Sequence, residues 1–217
     1  MTTDFEAELA RIRRETEAAV GPHHDRLIGF IEGIGQRDRR PAPGDTAPDF
    51  ALPCASGQIL TLEKLLHDHR ALSLVFVRGL WCPYCTAQMT ALQRACAAYR
   101  AAGLQIAVIT PETGGRAAET RATLELDYKI LCDVDFGAAL AYGLLVAVAE
   151  QEREVLLSHG YDLGTLYGNE TWFMPMATTF IIGADRTVLD VIGEADQRIR
   201  PHPDAVLQAT VSRLSGA

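Results

Sequence analysis

Two cysteines three positions apart carry the chemistry that this sequence can do. They stand in the run Arg78-Gly79-Leu80-Trp81-Cys82-Pro83-Tyr84-Cys85. Cysteines at i and i+3 in one helical turn come within disulfide reach. Pro83 suits a first helical turn, because the N–H it lacks would have no intrahelical partner there. A helix N-terminus presents partial positive charge and free N–H groups, which stabilise a thiolate and lower its pKa. The motif therefore offers an activated thiol beside a second thiol, able to cycle between dithiol and disulfide. Half of a zinc site is one competing reading, but zinc needs about four ligands. No second Cys-x-x-Cys and no His-x-x-x-His follows at finger-like spacing. Two inert buried thiols are the other competitor. The Trp-Cys-Pro-Tyr-Cys context directly after an apolar run favours redox chemistry.

The remaining cysteines are Cys54, Cys96 and Cys132, making five in all. An odd number in a chain of 217 residues does not describe a disulfide framework. The N-terminus alternates acids and bases and lacks the apolar core of a signal peptide. No stretch approaches the roughly twenty apolar residues of a membrane span. These features read as a cytoplasmic protein with no membrane partner, where a Cys-x-x-Cys pair is catalytic sooner than structural. The net charge of −8 argues against a nucleic-acid partner.

The elements that must position the pair follow from periodicity. Residues 72–77 form an apolar run long enough for a buried strand. After the motif, Cys85, Met89, Leu92, Cys96 and Tyr99 recur at helical spacing and form one apolar face. Residues 104–109, 128–131 and 178–182 read as further strands. Gly183-Ala184-Asp185-Arg186 turns the last of these into a return strand over 187–192, and a final helix spans 204–214. Apolar strands alternating with helices imply parallel pairing in an α/β sheet. Between Gly143 and Phe173 the pattern loosens: 150–159 reads as helix and 161–169 as Gly-rich loop. His159 there is a candidate acid/base group with no visible partner.

Residues 1–40 read as a helical N-terminal extension, followed by a linker and a main domain over 44–217. Within the extension, Gly21-Pro22 predicts a break between two helices, with His23 and His24 solvated at the break. The apolar stripes through Phe5, Ile12, Leu27 and Ile31 must be buried on the main domain or across a homodimer.

The order of elements and four stretches carry a resemblance. Gly44-Asp45-Thr46-Ala47-Pro48-Asp49-Phe50, the Arg78 to Cys85 motif, Tyr142-Gly143 and Thr179-Phe180-Ile181-Ile182 resemble the thioredoxin-like superfamily. Within it they are most similar to the peroxiredoxin-like branch of the alkyl hydroperoxide reductase/thiol-specific antioxidant (redoxin) family. The resemblance implies a thioredoxin-like mixed sheet flanked by helices. It also implies a thiol-dependent oxidoreductase or peroxidase with antioxidant activity on peroxides or protein disulfides. No cofactor is implied; a thiol reductant such as a thioredoxin-type protein or glutathione restores the dithiol. The motif fits the family in two registers. Against thioredoxins, Cys82 attacks and Cys85 resolves. Against the peroxiredoxin pattern Pro-x-x-x-Thr-x-x-Cys, Cys85 is peroxidatic, Cys82 replaces the Thr and Arg78 replaces the Pro. Arg78, Trp81 and Pro83 are the supporting residues, with Pro175 near the place of the thioredoxin-type cis-proline, two residues early. Arg78 or Arg198 is the candidate source of positive charge. Cys82, at the mouth of the turn, is expected to be the more reactive thiol, and Cys85, opening the apolar stripe, the more buried. The other function class that fits is a non-catalytic redox sensor whose disulfide controls partner binding through the N-terminal helices.

Overall fold

The computed structural model describes residues 4–113 and 115–216; positions 1–3 of the extension and position 217 lie outside them. The chain opens with one 30-residue helix, α1 (Asp4–Gly33), not two. Pro22 lies inside it, exposed, although a proline there forfeits a backbone hydrogen bond and costs about 3 kcal/mol. Packing on both sides of that turn offsets the cost. Phe5 and Ile12 are buried before it, and Leu27 and Ile31 after it. His23 and His24, expected in solvent, are buried within the helix, because they continue the stripe that carries Leu27 and Ile31. The helix lays this stripe on the chain's own main domain, against the helices that hold the motif and residues 150–158.

A short 3₁₀ turn, Gln36–Arg39, leads to the main domain. Its elements are β1 (Ala51–Pro53), β2 (Ile59–Thr61), α2 (Leu62–Leu66), β3 (Ala71–Phe76), α3 (Pro83–Ala101), β4 (Leu104–Thr110), α4 (Arg116–Thr123), β5 (Lys129–Cys132) and α5 (Gly137–Ala141). Then come β6 (Leu145–Ala147), α6 (Glu150–Ser158), α7 (Leu163–Tyr167), β7 (Phe173–Pro175), β8 (Thr178–Gly183), β9 (Val188–Ile192) and α8 (Pro203–Ser215). Five strands form the main sheet in the order β5-β4-β3-β8-β9. Strands β3, β4 and β5 are parallel; β8 runs antiparallel to β3 and β9 antiparallel to β8. The helix expected over 150–159 is α6, whereas the stretch expected to be Gly-rich loop over 161–169 instead holds α7, and the antiparallel ribbon β6–β7 flanks both. Asp162 makes α7 possible despite its glycine: its side chain accepts from the N–H groups of Gly164 and Thr165.

All six residues of β3 are buried, because helices cover both sheet faces. Leu72, Leu74 and Phe76 enter one core with Tyr142 and Phe180. Ala71 and Val75 enter the other, with Met89, Leu92 and Tyr99 of α3. The central strand is therefore fixed from both sides, and the turn at its C-terminal end inherits that rigidity. Gly143 serves a different junction. Its φ of +66° is in the left-handed region, and a Cβ there would run into the carbonyl of Arg39. Gln36 Nε2 donates to the Gly143 carbonyl at the same crossing. The linker thus passes directly over Tyr142-Gly143, whose tyrosine hydroxyl donates to the Pro48 carbonyl at 2.9 Å. No helix of the described residues is long and apolar enough to cross a membrane.

Candidate active site

The chain leaves β3 through Val77 and turns at Gly79, whose φ is +133°. A Cβ there would collide with the Glu112 carboxyl, which reaches across from the end of β4. Glu112 Oε2 accepts from the N–H of Leu80 at 2.9 Å. Burial pushes its carboxyl upward, opposed by that hydrogen bond. The turn then reaches Cys82, the N-cap residue of α3, with Pro83 in the first helical turn. The Cys82 carbonyl accepts from the N–H groups of Cys85 and Thr86, each at 3.0 Å. Trp81 Nε1 and the Tyr167 hydroxyl both donate to the Arg78 carbonyl, each at 2.9 Å. They clamp the backbone of Arg78 and leave its side chain to reach the sulfurs.

Arg78 Nη2 donates to Cys82 Sγ at 3.0 Å, and the Arg78 backbone N–H points at Cys85 Sγ at 3.4 Å. A second guanidinium approaches from the segment before α8: Arg200 Nη2 lies 3.8 Å from Cys85 Sγ. Both arginines are buried, 4% and 7% exposed, and no carboxylate among the described residues lies within ion-pair distance of either. The two thiols are unbridged and both are 0% exposed, so Cys85 is not more buried than Cys82. Charge separates them instead. Burial alone would raise both thiols. At Cys82, the hydrogen bond from Cys85 and the charges of Arg78 and Arg200 outweigh burial and hold the thiol well below its ordinary range. At Cys85, burial, then its hydrogen bond to Cys82 and the charge there, push the thiol well above it. The surroundings therefore favour ionisation at Cys82 over Cys85.

A cavity of about 150 Å³ has Cys82 among its lining residues. Its apolar wall comes from Val20 of α1, Val155 and Leu156 of α6, and the ring of Tyr161. Its polar wall is Arg78, His23 and His24. The Trp81 and Tyr161 rings close one side, with centroids 5.1 Å apart, and the Arg78 guanidinium lies 5.3 Å from the Trp81 ring centroid. The arrangement is a buried pair of thiols with cationic support, beside a small chamber that Cys82 helps to line.

Residues 43–191 match the AhpC/TSA family. The chain belongs to that family. Its members are usually thiol peroxidases, and this chain is a peroxiredoxin-like thiol redox protein. Among solved structures it is similar to the peroxidoxin BcpB from Mycobacterium tuberculosis, at 23% identity and a TM-score of 0.63, over 82% of this chain and 98% of that one. It is also similar to a cysteine-to-serine mutant of PrxQ from Xylella fastidiosa, at 12% identity and a TM-score of 0.63, over 80% and 97% of the two chains. A putative thiol:disulfide interchange protein DsbE from Chlorobium tepidum matches at 21% identity and a TM-score of 0.51, over 80% and 99%. At these identities the likeness concerns the fold. No curated protein matches the chain.

Within this AhpC/TSA chain, Arg78, Trp81, Cys82, Pro83 and Cys85 of the motif lie together at the end of β3 and the start of α3. Pro175 does not join them. It ends β7, paired with Leu145 in the small ribbon, and is neither among the cavity residues nor among the donors to sulfur; no described peptide bond is cis. Arg198 is also drawn elsewhere, to Asp196 at 2.8 Å and to Asp25 of α1 at 3.1 Å. Arg200 takes the place expected of it, and no local pattern in the sequence marks that residue. His159 lines the cavity rim, its Nδ1 2.8 Å from the Val155 carbonyl. His23 and His24 were detectable: read through Pro22, the α1 stripe runs Ile12, His23, His24, Leu27, Ile31.

Proposed function

We propose that this protein reduces small hydroperoxides, with Cys82 as the attacking thiolate and Cys85 as the resolving thiol. The observation that carries this reading is the buried Arg78 guanidinium on Cys82 Sγ, with no described carboxylate to neutralise it. A buried unpaired cation costs several kcal/mol, so a thiolate at Cys82 is the counter-ion that Arg78 requires. The Cys82 thiolate attacks the terminal oxygen of the hydroperoxide, the O–O bond breaks, and an alcohol leaves after gaining a proton. Cys85 then attacks the Cys82 sulfur, displacing the oxygen as water and closing the disulfide. Two equivalents of an external thiol, from a thioredoxin-type protein or glutathione, restore the dithiol.

The chamber supports a small substrate. Its size is about that of an engineered apolar cavity that holds benzene. A protein disulfide is too bulky for a chamber of that size walled by α1 and α6. The test is steady-state turnover with hydrogen peroxide, a small organic hydroperoxide and a protein disulfide, using dithiothreitol or a thioredoxin system as reductant. Catalytic consumption of the organic hydroperoxide is expected. Consumption of one equivalent per chain and no more would instead identify a redox sensor, and turnover of the protein disulfide alone would refute the peroxide reading.

The other three thiols stand outside this scheme. Burial pushes Cys96 and Cys132 upward, and Cys54 Sγ lies 3.1 Å from the Ser56 hydroxyl, in a core with Leu131. A Cys54→Ala/Cys96→Ala/Cys132→Ser variant is therefore expected to form one disulfide per chain under mild oxidant, read by thiol titration and intact mass. A folded variant that forms none would make one of these thiols the resolving group.

A further inference from the structure

The polar wall of the chamber contains a carboxylate–imidazole pair. His23 Nδ1 of α1 meets Glu152 Oε2 of α6, and the other oxygen of Glu152 accepts from Arg26 Nε at 2.8 Å. The His23 and Glu152 side chains are 5% and 8% exposed. With Nδ1 committed to Glu152, the remaining polar atom of the ring is Nε2, on a side chain that lines the same small chamber as Cys82 and Arg78. The groups facing the ring are Glu152 and His159 from α6, Arg26 and His24 from α1, and Arg78 from the redox turn; Glu15 of α1 also lines the chamber. Burial first, then the charges of Arg78 and Arg26, push the His23 imidazole downward, to about 4. In a neutral ring, Nδ1–H toward the carboxylate leaves Nε2 as an acceptor.

We propose that His23, oriented by Glu152, is the proton-transfer residue of peroxide reduction in this chamber. Its Nε2 accepts the hydroperoxide proton and aims the terminal oxygen at Cys82. The inference rests on the peroxide reading above. As the Cys82 thiolate forms its S–O bond and the O–O bond breaks, the proton held on Nε2 passes to the departing alkoxide. Thiolate plus hydroperoxide becomes sulfenate plus alcohol, with charge conserved and His23 returned neutral. The carboxylate fixes the tautomer: a group at Glu152 that donates to Nδ1 would place the proton on Nε2 and remove the acceptor.

Alkylation by iodoacetamide separates this role from a structural one, because it consumes the same thiolate but needs no proton transfer to the leaving group. Single-turnover rates with a small organic hydroperoxide and with iodoacetamide are compared in the full-length wild type, His23→Leu and Glu152→Gln. A loss of about 100-fold in the peroxide rate is expected for His23→Leu, in line with general acid–base contributions. About 10-fold is expected for Glu152→Gln, on the same basis. The alkylation rate of each should stay within about threefold of wild type, since the change is confined to the proton-transfer step. A parallel fall of both rates assigns His23 a structural role and overturns the proposal, as does an unchanged peroxide rate. Glu152→Gln keeps the shape of the α1–α6 contact and decides the same question if His23→Leu does not fold. A wild-type protein that alkylates rapidly but ignores the hydroperoxide sinks the underlying reading together with this one, whereas a reactive wild type with indifferent variants sinks this one alone.

Discussion

Cys82→Ser is expected to abolish hydroperoxide reduction, by on the order of 10⁴-fold or more, because a serine hydroxyl is not ionised at neutral pH and is a poor nucleophile. Cys85→Ser should behave differently. Its first reaction with peroxide proceeds, since the chamber and Arg78 Nη2 both address Cys82. Oxidation then stops at a sulfenic acid on Cys82, because no neighbouring thiol displaces the oxygen. The same asymmetry governs alkylation. Cys85→Ser should keep a thiol that reacts with iodoacetamide well below pH 8, while Cys82→Ser reacts slowly throughout that range. Mass spectrometry of each variant after one equivalent of peroxide reads the first point, and alkylation rate against pH reads the second. Sulfenic acid on Cys85 in the Cys82→Ser variant would place this chain in the peroxiredoxin register, with Cys85 peroxidatic.

Arg78→Met is the second large effect. Methionine fills much of the arginine volume without its charge. Were Cys82 to return to an ordinary thiol pKa near 8.5, only a few per cent would be thiolate at pH 7, a loss of about 30-fold in rate, and burial carries the loss further. The same substitution should change how stability depends on pH. Cys82 is held below its unfolded value, so its contribution is present above the ordinary thiol range and is lost as pH falls through its folded pKa. Cys85 is raised, so its contribution is complete below that range and is lost as pH rises through its own folded pKa. Without Arg78, the acid-side loss attributable to Cys82 should vanish from urea midpoints measured across pH, and the alkylation profile should move upward. An alkylation profile that overlays wild type would show that Arg200 and the helix terminus suffice to hold the thiolate.

How much of this could be read from the sequence depends on how local each signal is. The strand–turn–helix around the thiols is legible because its determinants are contiguous: six buried residues of β3, a proline at the helix start, and an apolar stripe on α3. The β8–β9 hairpin is legible for the same reason. The continuity of α1 is not, because Pro22 is a true local signal for a break and is overruled by burial of residues on either side. The second cation was equally hidden. Arg200 stands 115 positions from Cys85, and only the packing of the segment before α8 brings them together. Arg198, two residues away, has the same chemistry and is engaged by Asp25 and Asp196. Exposure is the wrong basis for ranking the two thiols, since both are sealed and the hydrogen bond between them, with the charges of Arg78 and Arg200, sets them apart.

The stretch that defines the family runs from residue 43 to residue 191. It brings the two sulfurs and Arg78. It does not bring His23, His24 or Val20, which come from the helix upstream, nor Arg200, which lies downstream. The shared segment supplies the redox couple; the flanking segments supply one wall of the enclosure and the second cation beside the pair. Another chain that kept only the shared segment would retain the couple and lose the room around it. Substitutions on α1 away from His23 can thus alter which molecules reach the sulfur while leaving the inherited redox couple in place.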